Sequence, residues 1–91
     1  MLAGIVLEPR PMSDLLERMR GNPRGDWSMR DVERVCLEHG IGCAPPKGGG
    51  LHYKISDRRI PSILTVPSRR PIKPVYIRKL VAFIDAVRDL P

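Results

Sequence analysis

At 91 residues the chain has room for one domain. A hydrophobic share of 42% suffices for one compact core, and an aromatic share of 4% makes that core mostly aliphatic. The net charge is +6, the two cysteines do not make a disulfide framework, and no run approaches the ~20 apolar residues of a membrane span, so a cytoplasmic protein is expected.

Leu2 to Leu7 is apolar and lacks the basic flank of a secretion signal. Residues 1–11 read as an extension or tail. Met12, Leu15, Leu16 and Met19 repeat at helical spacing, which predicts a first helix over Met12–Arg20, closed by Gly21-Asn22-Pro23. A second helix is expected from Ser28. Ser28 is its N-cap, Asp31 the third residue of a capping box, and Trp27 and Val32 occupy the hydrophobic-staple positions. Met29, Val32, Val35 and Cys36 form its buried stripe, and Gly40 suits the position just past its end.

Ile41 to Ala44 reads as a short strand. Pro45-Pro46-Lys47-Gly48-Gly49-Gly50 is expected to be a non-helical turn. Leu51 to Ser56 alternates, with Leu51, Tyr53 and Ile55 on one side and His52, Lys54 and Ser56 on the other. Asp57-Arg58-Arg59 reads as a hairpin loop, and Ser62 to Val66 as a third strand ended by Pro67. Pro74 fits the first turn of a last helix, whose stripe is Ile77, Leu80, Val81, Ile84 and Val87. This order predicts a small α+β sandwich: a three-stranded antiparallel meander with helices packed on one face.

The charge is unevenly spread. Residues 1–46 hold six Lys/Arg against seven acids, and residues 47–91 hold ten against three, a net of +7. A one-sided basic half marks a polyanion partner, with solubility alone as the plain alternative. Within it, the tract Lys47 to Lys54 joins glycines that expose backbone N–H groups, two lysines that neutralise an anion, and His52, which exchanges a proton near neutral pH. An RNA strand cut by its own 2′-hydroxyl needs such a base or acid and no metal. His52 is therefore the candidate catalytic residue, and Lys47, Gly49, Gly50 and Lys54 the candidate phosphate contacts. Arg69, Arg70 and Lys73 precede the last helix, whose N-terminus favours phosphate, and are the candidates for flanking backbone. Tyr53 is assigned to the core. The plain readings are an idle surface histidine, a flexible hairpin loop and a solvated basic loop.

Cys36, His39, Cys43 and His52 have a zinc-like spacing, yet Cys36 falls on the apolar stripe, so no metal site is assigned. A metal-dependent nuclease is set aside because only Asp57 lies between Lys47 and Lys79. A Cys–His nucleophile lacks a recognisable setting.

Three stretches resemble the HicA toxin family, small ribonucleases of bacterial and archaeal toxin–antitoxin pairs. They are Gly50-Leu51-His52-Tyr53-Lys54-Ile55, Leu64-Thr65-Val66-Pro67, and Arg70-Pro71-Ile72-Lys73-Pro74-Val75-Tyr76-Ile77-Arg78. The family pattern is a Gly-Ser-His near a strand start, a (T/N)(V/I)P strand end, and a Lys-Pro leading into the final helix. The resemblance covers about Ser28 to Val87. It implies a dsRNA-binding-domain-like α-β-β-β-α core over residues 27–91, with residues 12–26 an added helix and turn. It further implies that His52 is the acid or base of an mRNA interferase, that no cofactor is used, and that the partner is a HicB-type antitoxin. Leu51 departs from the pattern: the family carries Ser there, and Leu donates no hydrogen bond to a phosphate. A non-catalytic RNA-binding module and a protein-interaction domain with a basic face are the alternative functions.

Overall fold

The computed structural model describes residues 14–91. The expected tail at 1–11 and the Met12 end of the first predicted helix lie outside them. The elements are α1 (Leu15–Gly21), α2 (Met29–Glu38), β1 (Gly42–Ala44), β2 (His52–Asp57), β3 (Ile60–Pro67) and α3 (Pro74–Arg88). The three strands form one antiparallel sheet in the order β1-β2-β3. This is the α+β arrangement expected.

Helix α1 turns Leu15, Leu16 and Met19 into the core. An ion pair fixes it to α3: the Arg20 guanidinium donates to both Asp85 carboxylate oxygens at 2.7 and 2.9 Å. Helix α2 opens as its sequence requires. Asp31 N–H donates to Ser28 Oγ at 3.3 Å, and Ser28 N–H donates to Asp31 Oδ2 at 2.9 Å, which completes the capping box. Trp27 packs on the core from just before the cap, and its indole N–H donates to the Asn22 carbonyl at 2.7 Å.

The end of α2 is a Schellman motif. Gly40 N–H donates to the Leu37 carbonyl at 3.2 Å, and Ile41 N–H to the Cys36 carbonyl at 2.9 Å. Gly40 has φ 69°, which glycine alone adopts without strain. The motif reverses the chain at once, so β1 runs back beside α2.

Strand β1 pairs with β2 through Gly42–Ser56, Cys43–Ile55 and Ala44–Lys54. Strand β2 pairs with β3 through His52–Pro67, Tyr53–Val66, Lys54–Thr65 and Ile55–Leu64, with an irregularity between Ile55 and Asp57. Ser68 N–H donates to the Leu51 carbonyl at 2.8 Å and extends this ladder by one step. The third strand is longer than the expected Ser62–Val66 because Asp57 closes the hairpin tightly. Its Oδ1 accepts from the Arg59 N–H at 2.9 Å, leaving only Arg58 and Arg59 to turn.

Alternation sorts the sheet into two faces. Cys43, Tyr53, Ile55, Leu64 and Val66 face the helices and join the core. Ala44, His52, Lys54, Ser56, Ile63 and Thr65 lie exposed on the other face. Helix α3 covers the core side with Ile77, Leu80, Val81, Phe83, Ile84 and Val87. Ile72, inside the basic run, is also buried, and its N–H donates to the Trp27 carbonyl at 2.8 Å.

One local expectation is corrected. The tract Pro45–Gly50 is expected to hold no helix, yet Lys47–Gly49 forms a single 3-10 turn. Glycine makes this possible: Gly48, at φ 72° and ψ 21°, leaves right-handed helical space within it.

Candidate nucleic-acid interface

His52 is the first residue of β2, and Lys54 follows it on the same open face. Both side chains are exposed to solvent. Tyr53, between them, turns to the core as expected. The alternation that buries Tyr53 and Ile55 therefore pushes the imidazole and the ammonium outward together. Across the ladder His52 meets Pro67 and Lys54 meets Thr65.

The Lys47–Gly49 turn ends just before this pair. Gly48 and Gly49 have φ 72° and 85°, while Gly50 is extended at φ −70°. A Cβ at Gly48 or Gly49 would meet nothing within 4 Å. Backbone conformation, not space, thus requires glycine at these two positions. Lys47 is exposed beside them.

Beyond Pro67 lies a hollow of about 350 Å³ lined by Pro67, Arg69, Pro71, Lys73 and Tyr76. Pro67 and His52 share the open face, so the hollow begins next to the histidine. Lys73 is the N-cap of α3, and Pro74 takes its first turn. Here two exposed cations meet the positive end of a fifteen-residue helix.

Arg70, expected to hold RNA backbone, makes a two-pronged contact with the Asp26 carboxylate through its guanidinium, both bonds at 2.9 Å, with both side chains at the surface. With the Ile72–Trp27 bond, this pair ties the Arg69–Lys73 loop to the segment before α2. Arg70 shapes the loop; Arg69 and Lys73 remain to meet an anion. The Arg70–Pro71 peptide bond is cis. Sequence reasoning also missed Asp26, the buried Ile72 and Tyr76. An apolar residue inside a run of cations was the one available signal for Ile72.

The zinc-like set does not converge. Cys43 faces the helices and packs against the core that holds Cys36, whereas His52 is on the opposite face of the sheet. His39 is the C-cap of α2. Among the described residues no three His, Cys, Asp or Glu side chains are grouped to hold a metal ion.

The two ends of the sheet differ electrostatically. At the hairpin, Arg59 grips Asp57 at 2.8 Å through Nε and through Nη2, and these hydrogen bonds pull the Asp57 carboxyl down to about 2. That cation is already balanced. At the other end Lys54 shares the open face of His52, and the exposed Arg69 and Lys73 line the hollow beside Pro67, the strand partner of His52.

No family model, curated protein or solved structure matches this chain.

Chemically, the His52 end offers a solvent-exposed imidazole and several exposed cations. That set suits phosphodiester recognition and proton transfer. Among the described residues no helix is long and apolar enough to cross a membrane.

Proposed function

We propose that the chain is a HicA-like RNA-binding toxin of the cytoplasm, a metal-independent endoribonuclease acting on mRNA. Its fold is read as dsRNA-binding-domain-like, α2-β1-β2-β3-α3 behind the added helix α1. The observation that carries this reading is the shared open face of His52 and Lys54, flanked by the Lys47–Gly50 turn and by the Arg69–Lys73 hollow.

Lys54, Lys47 and the Gly49 and Gly50 backbone hold the scissile phosphate, and Arg69 and Lys73 hold the strand beyond it. His52 takes the proton of the 2′-hydroxyl as that oxygen attacks phosphorus, or supplies one to the departing 5′-oxygen. The cut leaves a cyclic phosphate on one fragment and a 5′-hydroxyl on the other. The partner under this reading is a HicB-type antitoxin that covers the same face.

Leu51 favours a second reading, an RNA-binding module that does not cut. It precedes His52, is 50% exposed, and offers the phosphate no hydrogen bond.

Induced expression of wild type and His52→Ala, with growth followed and total RNA analysed, separates the two. Arrest with 5′-hydroxyl mRNA fragments from wild type alone supports the nuclease. Equal arrest by both proteins with RNA intact supports binding without cleavage. Soluble, folded protein that neither arrests growth nor cuts RNA removes the toxin reading.

A further inference from the structure

Two thiols lie together outside the basic face. Cys36 is in the last turn of α2, and Cys43 is the middle residue of β1. The Schellman motif explains the meeting. It reverses the chain between them, and strand alternation then points Cys43 back toward the helix. Cys36 lies in the core between α2 and the sheet, and the Cys43 side chain packs against that core. Their exposure differs: Cys36 is fully buried, whereas Cys43 is half-buried on the edge strand of the sheet.

We propose that Cys36 and Cys43 form a reversible dithiol site, which closes to an intramolecular disulfide on meeting a small disulfide oxidant such as oxidised glutathione. The asymmetry gives each sulfur a role. Cys43 is the one a solvent-borne oxidant reaches. Cys36 also lowers the pKa of the Cys43 thiol, while Cys43 and burial raise that of Cys36, which holds its proton more tightly.

The electrons balance in two exchanges. The Cys43 thiolate attacks one sulfur of the oxidant, a mixed disulfide forms, and one thiolate leaves. Cys36 then attacks the Cys43 sulfur, the second thiolate leaves, and it takes up the Cys36 proton. Two protein thiols are oxidised and the oxidant's disulfide is reduced to two thiols. The bond ties α2 to the strand that precedes the Lys47–Gly50 turn. Neither the RNA reading nor His52 is needed for this site.

The test is intact-mass spectrometry of the folded, fully reduced chain after exposure to oxidised glutathione, with free thiols counted by maleimide labelling in denaturant before and after. Wild type is expected to become lighter by two hydrogen atoms, to lose both labelling sites as a monomer, and to recover them with dithiothreitol. Cys36→Ser is expected to stop at a stable glutathione adduct on Cys43. Cys43→Ser is expected to stay unmodified, because the remaining thiol is buried. A persistent adduct on wild type, a disulfide-linked dimer, or two thiols that remain free would each overturn the proposal. The wild-type measurement decides the matter even if Cys36→Ser does not fold.

Discussion

The Arg70 guanidinium and the Asp26 carboxylate, 44 residues apart in sequence, meet in a two-pronged ion pair with both bonds at 2.9 Å. The pair is on the surface, so its contribution to stability is small. Its importance is positional: it withholds one cation from the basic loop and holds that loop against the start of α2.

Asp26→Asn therefore has an unusual expected outcome. It removes an acid and frees Arg70, so RNA should bind more tightly and with more salt sensitivity. If Arg70 then takes up one phosphate, the slope of log affinity against log salt steepens by about 0.7 to 0.9. Fluorescence anisotropy of a labelled RNA across a salt series measures it. An unchanged slope would mean that Arg70 lies off the RNA path even when free.

Cations with no ion-pair partner among the described residues predict the opposite sign. Lys54→Ala, Arg69→Ala and Lys73→Ala should each weaken RNA binding and flatten the same slope by about 0.7 to 0.9. Arg59→Ala, at the far end of the sheet and already paired with Asp57, should leave the slope nearly unchanged. If Arg59→Ala flattens it as much as Lys54→Ala does, the RNA runs along the whole sheet and not only past His52.

Much of this fold was legible because local signals and burial agree. Ser28 and Asp31 cap α2 as a capping box should, Gly40 ends it, and the alternation from His52 to Ser56 sorts the sheet faces correctly, whereas Leu51, expected on the core side with Tyr53 and Ile55, precedes the strand and lies exposed. Long-range pairings were not legible. Nothing in the local pattern around Arg70 names Asp26 as its partner. Ile72 is read as part of a cationic loop, although the core claims it. The cysteines fell into the same gap. Cys36 was correctly assigned to the core, but its neighbour became visible only once the turn after α2 had a geometry.

The three glycines before Leu51 are not equivalent, and stability should separate them. Gly48 and Gly49 have left-handed φ values, so alanine at either costs about 1 to 2 kcal/mol. Gly50 has an ordinary φ, and a Cβ there would touch only Pro46 Cβ, at 3.4 Å. Gly50→Ala should therefore be close to neutral. Urea unfolding of the three variants checks the order, and equal losses at all three would contradict the turn geometry. If Gly50→Ala is stable but binds RNA poorly, the backbone there needs close approach by the ligand.

His39 supplies a dependence on pH. Burial, then the nearby Arg88 charge, lowers its pKa from the ordinary 6.5. The unfolded chain therefore takes up the proton first as the solution is acidified. Stability from this residue is complete above about 6.5 and is lost as pH falls through the lower folded value. Wild type should unfold at lower urea at pH 5 than at pH 7, and His39→Gln should flatten that difference. The carboxylates do not confuse the measurement. Asp57, held near 2 by Arg59, and Asp26 and Asp85, lowered by Arg70 and Arg20, keep their stabilisation until the pH nears their ordinary 3.8 and lose it below. If His39→Gln retains the full pH 5 to 7 slope, another group carries it.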